Sequence, residues 1–317
     1  MFRYVLKRLG MAIAVTLLVV VFLASMAHLA PGDPVKAILG PRASERLSQR
    51  VRDEMGLDKP IPVQVVDFVV DVLHGDLGRD FVSHRPVTEL IGLALPHTLL
   101  LAVSSVGLSA LIGIPLGAFS ATRPNSLVDR LIAILSVSFV ALPQYVAALF
   151  LLLIFSVRLH LLPAIGAGEL SDPVDYLRHL VLPSSALAIT FVGYLARLVR
   201  GSLLEVLHAN YIRSAFAFGL SERLILYKYA LKNAIIPTVA LLGVALGSML
   251  GGAVFIEVIF ARPGLGFLIY NAILTRNYPI VRGGTLVAAL AFVLANLLVD
   301  LSYRYLDPRI EIGEGTL

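Results

Sequence analysis

From Leu9 to Ala30 the chain carries no charged residue, and this run constrains the fold more than any other feature. At about 1.5 Å per residue it is long enough to cross a hydrocarbon core of about 30 Å. Five more apolar runs follow, at about Thr98–Ala121, Leu131–Val157, Leu180–Val199, Ile235–Ile259 and Gly284–Tyr303. Backbone groups in lipid must be satisfied internally, so each run is predicted to be a membrane helix. Pro115, Pro143 and Pro183 lie inside or near the ends of three of them, which bundled helices tolerate because neighbours re-satisfy the freed groups. Composition agrees. Only 15% of the 317 residues are charged, against about a quarter in soluble domains, and 58% are hydrophobic. The sequence-level fold class is therefore an all-α integral membrane protein with six transmembrane helices.

The first run has a basic flank, Arg3, Lys7 and Arg8, and reads as an uncleaved helix with its N-terminus inside, because a cleaved signal has a shorter apolar region. His28 at its outer end reads as interfacial. Residues 31–95 differ in kind: mixed charge, many prolines, and amphipathic patterns at Leu47, Val51 and Met55 and again over Val65–Leu73. They read as a small external subdomain of short helices. With both termini inside, half of the 26 Lys and Arg residues face the cytoplasm, and the outer basic residues fall mostly in the long external segment, which weighs little in the positive-inside rule. Orientation and anionic lipid account for the inner positive charge, so nucleic acid is not an expected partner. The remaining chain divides into a five-helix core over 96–305 and a cytoplasmic tail over 306–317.

Tyr211 to Pro237 is the longest basic, water-facing stretch of the second half. Arg213, Arg223, Lys228 and Lys232 are offset only by Glu222. Two short helices are legible in it. The first ends at Gly219, where a helix C-terminus needs a residue tolerant of positive φ. Ser221 then offers an N-cap oxygen, with Glu222 in the first turn. The second helix is predicted to place Leu224, Tyr227 and Leu231 on one face. Pro237 falls in the first turn of the next run. By composition alone this is as readily a loop made basic by its compartment as a docking surface.

Gly243, Gly247 and Gly251 stand at four-residue spacing, a groove where another helix can approach closely, either within this chain or from a second subunit. Glu257 precedes a turn marked by Pro263, Gly264 and Gly266, where irregular backbone must be buried or line a cavity. Asp300 is expected to meet Arg304 one turn on. The seven His are dispersed and Cys is absent, so no metal or thiol chemistry is expected; His160 and His179 share one external loop but make no metal site alone. No phosphate-binding loop or nucleophile elbow is present, so any ATP must bind another chain. An ion-coupled secondary carrier is the rival class, but it usually shows intramembrane carboxylates or inverted repeats, and neither is evident.

The stretch Tyr211, Arg213, Ser214, Ala215, Ala217, Gly219, Leu220, Ser221, then Ala230, Leu231, Asn233, Ala234 and Pro237, resembles the cytoplasmic EAA loop of ATP-binding-cassette (ABC) importer permeases, within the dipeptide, oligopeptide and nickel subfamily. Phe216 and Phe218 stand where that loop is commonly basic, and Tyr229 stands for a His. Leu29–Pro34, Gly75–Gly78, Glu257 with Phe260–Gly266, Arg276–Pro279 and the Asn296–Arg309 end are similar as well, so the resemblance covers nearly the whole chain. It implies a type I ABC importer permease fold, the first of two homologous permeases, in the bacterial cytoplasmic membrane. It further implies two cytoplasmic ATP-binding subunits, which carry the ATP and Mg, and an external solute-binding protein; this chain itself is not an enzyme and binds no cofactor. By the resemblance the 201–234 segment couples to the ATPases, with Tyr211, Arg213, Ser214, Ala215, Gly219, Leu220, Ser221 and Glu222 as its contact residues. Glu257, Pro263, Gly264 and Gly266 become pathway or external-gate positions.

Overall fold

The computed structural model describes residues 10, 11, 13–23, 44–46, 49, 52, 59–169 and 171–306. Leu29–Pro34, the Leu47/Val51/Met55 pattern, the side chains of Asp300 and Arg304, and the 307–317 tail lie outside what it describes. Among the described residues there is no strand. The helices are α1 (Ile13–Leu23), α2 (Ile61–Leu73), α3 (Val87–Thr122), α4 (Leu127–Ala141), α5 (Gln144–Leu151) continued by a π-helical stretch (Leu152–Arg158), and α6 (Pro173–Leu207). Then come α7 (Asn210–Ala217), α8 (Glu222–Leu224), a second π-helical stretch (Ile225–Ala230), α9 (Leu231–Ala234), α10 (Ile236–Ile259), α11 (Leu265–Leu274) and α12 (Tyr278–Leu306).

By length and composition α3, α6, α10 and α12 can each cross a membrane, and α4 with α5 makes a fifth crossing if that bent pair is one span. The α4–α5 pair departs from the expectation of one helix over Leu131–Val157. It bends by 105° at a break beside Pro143. Leu142 is extended (φ −81°, ψ 117°), as the residue before a proline tends to be. Helix lengths also differ from the apolar runs. α3 begins at Val87, not Thr98, and takes in the last part of the segment read as external. α6 begins at Pro173, where Asp172 caps it by accepting from the Val174 and Asp175 N–H groups at 2.9 and 3.3 Å. Hydropathy marks where lipid would begin; capping and proline chemistry mark where a helix begins.

The chain forms two compact units, Met1–Thr98 with Ala261–Val293, and Leu99–Phe260 with Leu294–Leu317. In the first, Val87 and Ile91 of α3 pack against Leu265, Ala272, Ile280 and Val281. Val20 and Leu23 of α1 pack with Phe68 of α2 and Leu286 of α12. The Arg282 guanidinium lies 4.1 Å from the centre of the Phe68 ring. The loop before α3 is tied down by Asp80, which accepts from the Val82 and Ser83 N–H groups at 3.0 Å each, from the Ser83 hydroxyl and from the Asn277 amide. Burial pushes the Asp80 carboxyl up, but the Ser83, Val82 and Asn277 hydrogen bonds outweigh it and hold it below the ordinary carboxylate value.

The second unit is organised on α6, whose buried face includes Leu182, Ala186, Leu187, Leu195, Val199 and Leu203. Three glycines let backbones approach it. A Cβ on Gly113 of α3 would lie 2.7 Å from Leu195 Cβ, and one on Gly117 would lie 2.5 Å from the Ala196 carbonyl oxygen. On α6 itself, a Cβ on Gly193 would lie 2.4 Å from the Ser136 carbonyl oxygen of α4. Serines join the helices between these contacts: Ser104 and Ser184 hydroxyls are 2.7 Å apart, and Ser109 donates to the Ala188 carbonyl at 3.3 Å. Close packing of small residues and interhelical hydrogen bonds are what hold helices together where lipid removes the hydrophobic drive.

Candidate functional site

The 210–234 segment is a small helical platform docked on the ends of α3 and α6. Ile212, Ala215, Ile225, Ala230 and Ala234 are buried against Ala121 and Leu203. α7 ends in a Schellman turn. The Leu220 N–H bonds the Ala215 carbonyl at 3.3 Å and the Gly219 N–H bonds the Phe216 carbonyl at 3.0 Å. Gly219 takes φ +76°, the left-handed conformation its position requires, and Leu220 packs back into the cluster that holds Ala215. Tyr211 is tied to the far end of the platform, its hydroxyl accepting from the Asn233 amide at 2.9 Å. The Ser214 hydroxyl bonds back to the Asn210 carbonyl at 3.2 Å.

Two local expectations fail here. Ser221 sits at the N-cap of α8, but its side chain makes no capping bond; its backbone carbonyl instead accepts from the Ile225 N–H at 3.0 Å. Leu224, Tyr227 and Leu231 do not form the packing face, since Tyr227 is 66% exposed and the buried positions are Ile225, Ala230 and Ala234. The reason is the π-helical stretch Ile225–Ala230, which changes the residues per turn and shifts the face.

The exposed side of the platform is aromatic and basic together. Phe216, Phe218 and Tyr227 are exposed, Phe218 at 84%, and Arg213, Arg223, Lys228, Lys232 and Glu222 stand among them. An exposed apolar patch rimmed by charge is the form of a protein-docking surface.

Beside the platform lies a buried polar joint that sequence reading passed over. Asp129 in the first turn of α4, 4% exposed, receives the Arg200 guanidinium of α6 in two parallel bonds, Nε at 2.6 Å and Nη2 at 2.8 Å. Ser120 of α3 donates to the same carboxylate at 2.5 Å and the Asn125 N–H at 2.9 Å. One carboxylate thus joins three helices next to the Ala121 and Leu203 contacts of the platform. The sequence signal was an Asp at the start of an apolar run and an Arg near the end of another, which only an assumed helix pairing would have matched.

The glycine series on α10 divides. Gly243 and Gly247 are buried, whereas Gly251 is exposed, with nothing within 4 Å of where its Cβ would be. Glu257 is fully buried. After Phe260 the chain turns through Ala261 (φ +44°) to an exposed Pro263 and a buried, extended Gly264, the N-cap of α11. The Gly264 N–H bonds the Arg262 carbonyl at 2.7 Å, and the Leu265 N–H donates to Thr98 Oγ1 at 2.8 Å. Gly266 lies inside α11 rather than in the turn, because the turn closes two residues earlier than the glycines mark it. Among the described residues no group of three His, Asp or Glu is placed to hold a metal ion. His179 Nδ1 lies 2.9 Å from the Asp175 carbonyl oxygen in its own helix.

The helices make an apolar bundle with a small helical platform on the ends of α3 and α6, and comparison with known proteins gives the class, a membrane component of a transport system. Residues 113–312 match the family described as binding-protein-dependent transport system inner membrane component, and residues 1–102 match the N-terminal family of the same membrane component. The chain belongs to that family. It is similar to the probable peptide ABC transporter permease protein y4tP of Sinorhizobium fredii (38% identity; 97% of this chain and 98% of the relative). It is similar also to the probable D,D-dipeptide transport system permease protein DdpB of Escherichia coli (39%; 92% of each) and to the glutathione transport system permease protein GsiC of Salmonella typhimurium (38%; 98% and 99%). Among solved structures, the inward-facing MetNI methionine ABC transporter shares the fold (TM-score 0.57, 20% identity, 69% of this chain and 96% of that chain). Family membership sets aside the ion-coupled carrier.

Proposed function

We propose that this chain is one permease of an ATP-driven importer for di- or oligopeptides or a related small solute. It pairs with a second homologous permease in the cytoplasmic membrane, with six spans and both termini inside. Two ATPase subunits bind the ATP and Mg, one of them docking on the 210–234 platform of this chain, and an external binding protein delivers the solute. Peptide-type relatives at 38–39% identity over nearly the full chain support the solute class. The single observation that carries the coupling role is the platform itself: helices packed on the ends of α3 and α6, with Phe216, Phe218 and Tyr227 left exposed. ATPase closure would move Tyr211–Glu222 as one body, and α6 would carry that displacement into the spans. Gly251 is the member of the glycine series open to the second permease. Glu257, Pro263, Gly264 and Gly266 stay assigned to the outer part of the pathway.

The test is Gly219→Val in the reconstituted complex. At φ +76° a β-branched residue is strained, at a cost of about 1–2 kcal/mol. No neighbour would collide with the new Cβ, so the strain is confined to the turn. Insertion and binding-protein docking are expected to stay normal, while uptake and substrate-stimulated ATP hydrolysis fall together. Normal coupling in Gly219→Val would sink the lever role of this turn.

A further inference from the structure

The break between α4 and α5 opens a cavity of about 430 Å3, and no charged residue lines it. Its polar lining is Gln144, Tyr145 and Thr190; Phe255 and Gly252 close another side. In a membrane-crossing pair, irregular backbone is stable only where it is buried in protein or lines a water-filled space. Two details show that the polar groups here are not spent on the fold. Thr190 Oγ1 is buried without a hydrogen-bond partner among the described residues, although a helical Thr can ordinarily bond back to its preceding turn. The Gln144 amide makes one long bond, from Nε2 to the Leu187 carbonyl at 3.4 Å. Its Oε1 stands 2.8 Å from where a Cβ on Gly252 would be, so that glycine is what leaves room for the amide.

We infer that this elbow is a contact station for the backbone of the transported solute, taking an uncharged peptide unit by hydrogen bonds to Gln144 and Thr190. The inference rests on the peptide-import reading above. Its chemistry follows from the lining. An amide and a hydroxyl match the N–H and C=O of a peptide bond. The absence of charge in the lining disfavours a bare ion. Tyr145 and Phe255, exposed at 51% and 65%, offer sequence-tolerant apolar flanks for side chains. Such a station accepts many peptides while rejecting solutes that lack the amide.

The experiment compares uptake of dialanine and of its ester analogue, alanyl-lactate, which lacks the linking N–H. Both are supplied to the complete complex with its binding protein in proteoliposomes. The binding protein's own preference is common to every variant, so a change in the dialanine-to-ester ratio reports on the permease. Gln144 Nε2 already donates to Leu187, so its Oε1 is the acceptor for the linking N–H, and Gln144→Leu is expected to lower that ratio roughly fivefold, the worth of one neutral hydrogen bond, with the loss falling on dialanine. Thr190→Val removes the donor to the carbonyl that both compounds carry, and is expected to slow both about fivefold and leave the ratio unchanged. Gly252→Ala, which would displace the Gln144 amide, is expected to act in the same direction as Gln144→Leu. Co-purification of the partner subunits verifies assembly of each variant. A ratio unchanged in Gln144→Leu, or uptake of both compounds unchanged in Thr190→Val, with dialanine still imported, would overturn the station and leave the peptide reading standing. A wild-type complex that imports neither compound would overturn the peptide reading, and the station with it.

Discussion

Asp129→Ala is expected to abolish uptake by loosening the seat on which the platform rests. The substitution strands the Arg200 guanidinium, 32% exposed on its side chain, and leaves Ser120 Oγ and the Asn125 N–H without their acceptor. Removing one partner of a largely buried, hydrogen-bonded ion pair costs about 3 kcal/mol, far more than a surface pair is worth. That is a large share of the stability of an ordinary domain. The melting midpoint of the purified complex should drop sharply, and ATP hydrolysis should lose its dependence on loaded binding protein. Arg200→Ala should do similar harm, and the double variant little more than the worse single one, because both remove the same joint. Fully additive losses in this cycle would show that Asp129 and Arg200 act separately. Asp129→Asn keeps the shape and loses the charge, so it should fall between wild type and Asp129→Ala.

The second large effect is expected at Gly117, where even a methyl group is too much. The obstacle is a backbone carbonyl of α6 at 2.5 Å with Val199 Cβ at 2.8 Å, and neither is the end of a flexible side chain. Gly117→Ala must push α3 off α6, weakening the neighbouring Gly113 contact and the Ser109–Ala188 bond as well. Overpacking of this kind costs about 1–3 kcal/mol, and here it falls on the central helix pair. Gly107→Ala, on the same helix with nothing within 4 Å, supplies the contrast. Alanine is the better helix former by about 1 kcal/mol, so Gly107→Ala should leave stability unchanged or slightly raised. Expression level and detergent melting of the two variants measure opposite signs on one helix. Equal behaviour would mean that α3 and α6 are not in contact at Gly117.

How far the sequence alone reveals this molecule depends on the range of the interaction concerned. Gly219 was legible because its requirement is local: a helix end needs positive φ, and Gly supplies it. Pro237 in the first turn of α10 was legible for the same reason. The glycine contacts show the limit. Gly113-Ile-Pro-Leu-Gly117 has the same spacing as the series on α10, yet Gly113 and Gly117 make tight contacts while Gly251 has nothing within 4 Å. Spacing shows that a groove exists but not what fills it. The joint at Asp129 was out of reach, since its partner lies 71 residues away and nothing local marks the pairing. The π-helical stretches were missed because a 3.6-residue period was assumed throughout the platform.

The buried fork of Arg200 on Asp129 also bears on the medium in which the transporter works. At about 0.1 M salt, charges in open solvent are screened over about 10 Å, whereas a pair closed inside protein is screened far less. Arg213, Arg223, Lys228 and Lys232 belong to the first kind, and the Asp129 joint, its carboxylate buried though the Arg200 side chain is 32% exposed, stands nearer the second. Under the proposed coupling role, rising ionic strength is therefore expected to weaken attachment of the platform to an ATPase before it weakens the platform's hold on its own helices. Such a complex would come apart at its subunit contact with the proposed transmitting element still whole.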